Sequence, residues 1–326
     1  MISQVETIRK RFCKDVNASI NILESPYFEN RLELFDLKDK YDAYIEMIET
    51  KFGSDQAYLE YYNQVKDNAI DYIKNSKTFQ QLNSCDMNAF GCKSNIPDRD
   101  PYKETTVGDW FTSIDIRRAN YTALVKYGEL FDCPFVSEEI GYNYEKFIAQ
   151  FTDVDHIIQS KYIRQVIFGN CNPKRQITFE HYLMSVLMTH LIVETGLAKI
   201  ADVYSLRSDE LVLSKQLTAA QVSELEMVNL TTLNIPLSVQ VFQLGKIVDE
   251  CNRTRGFYKR ILNFGSFDSH ELKCVSSDDM AFVTRMLRGK DPHEADNMFN
   301  YNGQLAKIIN TPKLHLVWDK EVCDEK

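Results

Sequence analysis

The stretch from Trp110 to Leu213 constrains this chain more than any other, because it sets three chemically distinct pieces in a fixed order. The first, WFTSIDIRRANYTAL (110–124), alternates through Phe111, Ser113, Ile114 and Ile116 like a partly buried strand with Asp115 at its end. The second, SKYIRQVIFGNCNPKRQ (160–176), reads as a basic helix. The third, IADVYSLRSDELVL (200–213), is two β-rich runs joined by a polar turn that presents Asp209 and Glu210.

A carboxylate on a strand and a carboxylate pair on a hairpin, with a cationic helix between them, suit two-metal phosphoryl transfer. Hard Mg²⁺ ions take oxygen ligands, and two of them roughly 4 Å apart need carboxylates from more than one backbone segment. Lys and Arg on the intervening helix would neutralise a triphosphate.

The 326 residues are enough for one large domain or two ordinary ones, and 44% apolar with 26% charged residues is the balance of a soluble globular protein. No apolar run reaches bilayer length, and MISQVETIRKRF lacks the apolar core of a signal peptide. The expectation is a cytoplasmic protein without membrane contact. A net charge of −9 argues against a nucleic-acid coat protein but allows a local basic groove. Between Asp155 and Glu180 there is no acid, while Lys161, Arg164, Lys174 and Arg175 all fall there. The eight cysteines (Cys13, Cys85, Cys92, Cys133, Cys171, Cys251, Cys274 and Cys323) form no CxxC pair, and Cys85 and Cys92 are spaced wrongly for the common zinc sites. Unpaired thiols serving as small apolar residues are expected.

Residues 1–83 carry helical spacing. Ser54 or Asp55 would cap a helix whose stripe is Tyr58, Tyr61, Tyr62, Val65, Ala69, Tyr72 and Ile73. Such a stripe packs a helix face more often than it stacks bases. Residues 84–109 read as an irregular connection. After Asp115 a helix follows that Gly128 weakens and Pro134 ends. One helix is expected over DVDHIIQSKYIRQVIFG, capped by Thr152 or Asp153, and an apolar core helix over ITFEHYLMSVLMTHLIVETG, with His181 and His190 as packing residues. Beyond Leu213 come a helix (TAAQVSELEMV) and strands over PLSVQVFQLGKIV, GFYKRIL and HELKCV. Helices are expected over DDMAFVTRMLRG and EADNMFNYNGQLAKII, then a polar tail, DKEVCDEK. There is no GxxxxGK[ST], GxGxxG, HExxH or GxSxG motif and no internal repeat.

The order Asp115, basic helix, Asp209-Glu210 resembles motifs A, B and C of right-hand nucleic-acid polymerases. SIDIRRANYTAL looks like motif A, with Asn120 or Tyr121 where a bulky residue polices the sugar. KYIRQVIFG resembles the fingers helix of family A DNA polymerases, and RSDELVL their motif C or the acidic hairpin of reverse transcriptases. GNCNP is similar to the Gly/Pro loop between their two acidic motifs. The likeness covers about a third of the chain, and only one acid stands in motif A, with Arg117 and Arg118 directly after it.

The resemblance implies an α+β protein with an antiparallel palm-like sheet packed with helices. Its regions would be a helical N-terminal region with an irregular linker (1–109), a palm-like core with a fingers-like helix (110–250) and a helix-rich, thumb-like C-terminal region (251–326). Asp115 and Asp209 would hold Mg²⁺ or Mn²⁺, with Glu210 as a third or outer carboxylate. Lys161 and Arg164 would hold the β- and γ-phosphates, and Lys174 and Arg175 would lie near the nucleic-acid backbone. The implied partners are nucleic acid, nucleoside triphosphates and replication-complex proteins, in keeping with a mobile or viral replication system. Two other expectations stand beside it. One is a polymerase-like subunit of a replication complex that has lost full metal ligation. The other is a helical interaction module whose tyrosine-rich helices recruit a protein.

Overall fold

The computed structural model describes residues 4–91, 96 and 98–318, so Cys92, Cys323 and the polar tail from Asp319 onward lie outside the described residues. The N-terminal part is a helical layer: α1 (Gln4–Asp15), α2 (Tyr27–Leu34), α3 (Lys38–Met47), α4 (Asp55–Asn75) and α5 (Lys77–Ser84). Ser54 caps α4 by accepting from the Ala57 N–H, and Ser76 caps α5 by accepting from the Phe79 N–H. Most of the α4 stripe faces inward. Tyr58 and Tyr62 are fully buried, Tyr61 donates to Thr152 Oγ1 at 3.0 Å, and Tyr72 packs edge-on against Phe135, Phe147 and Phe151. Packing thus engages Tyr58, Tyr61 and Tyr62, and Tyr72 from the edge, where it is 39% exposed.

The chain then enters the sheet. Strand β1 (Trp110–Ile116) is followed by α6 (Ala119–Leu130), α7 (Tyr144–Ile148), α8 (Asp155–Gln159), α9 (Lys161–Gly169) and α10 (Pro173–Thr189). The hairpin β2 (Val203–Leu206) and β3 (Glu210–Leu213), helix α11 (Ala219–Thr232), β4 (Leu237–Val248), β5 (Thr254–Ile261) and β6 (Ser269–Lys273) complete it. The strands lie side by side as β2-β3-β1-β4-β5-β6, antiparallel throughout. Helices link β1 to β2 and β3 to β4, and β1 lies between β3 and β4, which is the split β-α-β arrangement. A seventh strand, β9 (His315–Val317), pairs with the far end of β4.

One face of this sheet is covered by helices. Ile114, Ile116, Leu211, Leu213 and Val241 join the main core there with Leu124, Phe179, Leu183 and Leu225. The other face is half apolar and half open. Phe111, Val212, Phe242, Leu244, Phe257 and Ile261 form a small cluster under Tyr102 and Val107 of the connecting segment. The remainder of that face is polar.

Three expectations change. The helix foreseen over Asp153–Gly169 is two, because Ser160 interrupts it and caps α9 by accepting from the Ile163 N–H at 3.0 Å. The next helix starts four residues early, at Pro173, whose fixed φ suits the first turn, with Asn172 left-handed before it. The C-terminal region carries more strand than helix. Beyond β5 and β6 it has one α-helix, α12 (Met280–Leu287), and the expected helix over Glu294–Ile309 is a hairpin of β7 (Met298–Tyr301) and β8 (Gln304–Lys307). Asn302 and Gly303, both at positive φ, make its turn, as an Asn-Gly pair favours. β5 and β6 belong to the central sheet, so that sheet runs across position 250. Among the described residues no helix is long and apolar enough to cross a membrane.

Candidate functional site

Alternation along the strands decides what faces the open half of the sheet. On β1, Phe111, Ser113 and Asp115 share one face, while Ile114 and Ile116 join the helical core. Register places Glu210 opposite Asp115 on one side and Ser238 on the other. Gln240 lies opposite Ser113, and Lys259 opposite Glu271. A cavity of about 360 Å³ opens there, lined by Tyr102, Ser113, Asp115, Arg207, Asp209, Glu210, Ser238, Gln240, Lys259, Glu271 and Lys273.

The acidic wall is tight. Arg207 N–H donates to Glu210 O at 2.8 Å and so closes a turn whose tip is Ser208-Asp209. The Ile116 N–H donates to Asp209 O at 2.9 Å, tying that turn to the end of β1. Ser113 Oγ donates to Glu210 Oε1 at 2.6 Å and orients this carboxylate. Burial, then the charges of Asp209 and Glu210, push the Asp115 carboxyl up to about 7, against the pull of Lys259 and Lys273.

A fourth acid belongs to this group. Glu180 on α10 is 2% exposed and accepts from Asn120 Nδ2 at 2.7 Å. Burial first, then the charge of Asp209, raise it to about 8; Asp115 adds to the rise, and the Asn120 hydrogen bond opposes it. The sequence contained one signal for it: a single acid set among Phe179, Leu183, Met184 and Leu187 of a helix face.

The opposite wall is basic. Lys259 is 2% exposed, donates to Gln240 Oε1 at 2.6 Å and to Glu271 Oε2 at 3.2 Å, and lies 4.3 Å above the Phe242 ring. Burial lowers its pKa, and Glu271 counters that. Lys273 pairs with Glu271 Oε1 at 2.7 Å, and Arg207 Nε pairs with Asp98 at 2.7 Å near the mouth. The signal for Lys259 was one lysine on the inward-facing positions Phe257, Lys259 and Ile261 of β5.

The residues expected to bind nucleotide and nucleic acid lie elsewhere. Lys161 begins α9, exposed, on the wall of a separate cavity of about 750 Å³ with Asp15, Lys40, Lys51 and His156. Arg164 stacks 5.5 Å over the Tyr144 ring. Its pKa is lowered by burial, and it neighbours Arg118, which pairs with Glu145. Lys174 is exposed in the first turn of α10. Arg175 clamps α5 by donating to Leu82 O at 2.9 Å and Cys85 O at 2.8 Å. Tyr121 is fully buried and donates to Gly141 O at 2.8 Å, as a core residue. Asn120 does reach the carboxylates, through Glu180. The basic helix and the acidic turn are thus separate features. Ser160 caps the start of α9, which packs against α4 and α1 with Ile163 and Ile167 buried.

The donor set of the acidic wall is carboxylate and hydroxyl oxygen, the chemistry of hard divalent cations. The mutual charge pressure on Asp115 is of the kind a cation relieves. As the side chains stand, no group of three or more His, Cys, Asp or Glu among the described residues is arranged to hold a metal ion. Compared with known protein families, curated protein sequences and solved structures, the chain matches none.

Proposed function

We propose that the protein performs metal-dependent nucleotidyl transfer onto a nucleic-acid 3′ end, with the open face of a palm-like sheet as its floor. The observation that carries this reading is the register pairing of Asp115 with Glu210, with Asp209 tied to the end of the same strand. In such a reaction the 3′-hydroxyl oxygen bonds to the α-phosphorus of a nucleoside triphosphate. The bond from that phosphorus to pyrophosphate breaks, and the hydroxyl proton is lost to a base. Asp115 and Asp209 would hold Mg²⁺ or Mn²⁺, which when bound would acidify the hydroxyl and neutralise the leaving pyrophosphate. Ser113 fixes the Glu210 carboxylate beside them. Lys259 and Lys273 supply positive charge across the cavity.

A second reading keeps the sheet and discards the chemistry: a nucleic-acid-binding or structural subunit of a replication complex. It is favoured by the lack, among the described residues, of a three-ligand cluster in this conformation. It is disfavoured by Arg118, which pairs with Glu145 and leaves the acids of the cavity without that counter-ion. Primer extension with Mg²⁺ or Mn²⁺, wild type beside Asp115→Ala and Asp209→Ala, separates them. Extension by wild type and loss in both variants supports transfer. Wild type that binds primer–template in a salt-sensitive way without extending it supports the second reading, and neither activity nor binding removes nucleic acid from consideration.

A further inference from the structure

The cavity above the sheet has two walls of opposite sign, and only the acidic one was foreseen. Its basic wall is built from adjacent strands, with Lys259 on β5 and Lys273 on β6 sharing one carboxylate, Glu271. Two ammoniums share that carboxylate, and their remaining charge faces Asp115 and Glu210 across the cavity. Lys259 is the more telling of the two, because a lysine is almost never fully buried without a matched counter-ion. Its contacts to the Gln240 amide, a Glu271 it shares with Lys273 and the Phe242 ring hold the ammonium in position on the cavity wall. Tyr102 closes the side, 5.9 Å from the Lys273 ammonium. The volume, about 360 Å³, sits at the low end for ligand pockets and suits a polyphosphate with its cations more than a whole nucleotide. An anion seated there would meet fixed ammoniums on one side and, through a cation, the carboxylates on the other.

We propose that Lys259 and Lys273 are the polyphosphate-binding residues of this protein, taking the β- and γ-phosphates of a nucleoside triphosphate where the α9 residues Lys161 and Arg164 do not. The nucleoside in this statement rests on the nucleotidyl-transfer reading; the anion rests on the cavity alone. Lysine suits the task as a compact point charge for phosphate. Base and sugar would lie outside the cavity, toward the exposed rim of the sheet.

The test is calorimetric titration of the full chain with inorganic tripolyphosphate in Mg²⁺, for wild type, Lys259→Gln, Lys273→Gln and Lys161→Gln. Thermal melts report folding of each. Lys259→Gln and Lys273→Gln are each expected to weaken binding at least tenfold, with Lys161→Gln at wild-type affinity. Lys273, whose side chain is 33% exposed, keeps the test decisive if Lys259→Gln does not fold. Wild type that fails to bind tripolyphosphate, unchanged affinity in a folded Lys273→Gln, or loss confined to Lys161→Gln would each overturn the assignment. Primer extension on the same variants separates the two claims. The expected binding pattern without extension by wild type keeps the phosphate site and removes nucleotidyl transfer. Extension with an unchanged KM for nucleoside triphosphate in folded lysine variants keeps transfer and removes the site.

Discussion

Asp115 and Glu210 face each other as direct register partners across the β1–β3 ladder, so two carboxylates stand side by side on one face of the sheet. Like charges directly opposite one another destabilise a sheet, and here Asp209 adds a third. Such crowding weakens the fold unless something positive fills the space, which is how a binding site differs from a structural ion-pair network.

The crowding has a measurable sign. Burial, Asp209 and Glu210 hold Asp115 up at about 7, against an ordinary value near ~4 in the unfolded chain. Between those values the folded protein keeps a proton that the unfolded chain has released, so this group's contribution to stability falls as pH rises from about 4 to about 7 and is level above that. In metal-free buffer with a chelator, Asp115→Asn is expected to be more stable than wild type by ~2 kcal/mol at pH 8, after allowance for solvent screening. The gain should shrink toward nothing near pH 4. Urea unfolding at pH 4, 6 and 8 measures it, and equal stability at pH 8 would mean that the carboxylates do not press on one another.

The elements that carry this site were legible because their signals are local. Alternation marked β1 and β4, a polar turn between β-rich runs marked the Asp209 hairpin, and Ser54 or Asp55 marked the start of α4, where Ser54 is the cap. The basic wall of the cavity was not legible, because facing is a tertiary property. Lys161 and Arg164 have the composition of a triphosphate clamp, yet α9 spends its apolar face on the N-terminal helices and presents Arg164 to Tyr144. Lys259 looks in sequence like one charge among the basic residues of FYKR, and only pairing with β4 and β6 brings it over the acids. In the C-terminal region the Asn302-Gly303 turn signal lies inside the segment expected as a helix, and that turn decides for a hairpin.

Tyr121 separates a core role from a catalytic one. Its ring is fully buried against Phe135, Tyr144, Phe147 and Phe168, and its hydroxyl donates to Gly141 O. Tyr121→Phe removes one buried hydrogen bond and is expected to cost about 1 kcal/mol. Any preference between ribo- and deoxyribonucleoside triphosphates should be unchanged. Single-nucleotide incorporation with both sugars checks this, and a relaxed preference would return Tyr121 to the substrate.

Asp296 ties the C-terminal region to the N-terminal layer. It is 1% exposed, accepts from Arg31 Nη1 at 2.7 Å and also pairs with Arg285 of α12. Arg31 further donates to Asp296 O at 3.0 Å and Met298 O at 3.2 Å. Asp296→Ala leaves the buried Arg31 guanidinium without its carboxylate and is expected to cost about 3–5 kcal/mol. Asp296→Ala with Arg31→Met should recover part of this. Denaturant melts of the two variants measure the difference, and a single variant as stable as wild type would show that the C-terminal hairpin docks without the pair.

Asp249 supplies a pH dependence of the opposite sign, away from the cavity. It begins the β4–β5 connection. Its Oδ1 accepts from the Cys251 and Arg253 N–H groups at 2.9 and 3.0 Å, and its Oδ2 accepts from Arg253 Nε at 2.8 Å and Arg255 Nε at 3.1 Å. Burial opposes ionisation, but these hydrogen bonds, with the Arg253 charge, outweigh it and hold the carboxyl at about 2. A folded value below the unfolded one means that the stabilisation is complete above about pH 4 and drains away as pH falls toward about 2. Wild type should therefore lose melting temperature between pH 4 and pH 2 more steeply than Asp249→Asn, which should be the less stable protein at pH 7. Melts at half-unit steps from pH 5 to pH 2 compare the two slopes. Parallel curves would mean that the turn is held by its backbone alone, and that Asp249 gives the strand pair that carries Lys259 no charge-dependent support.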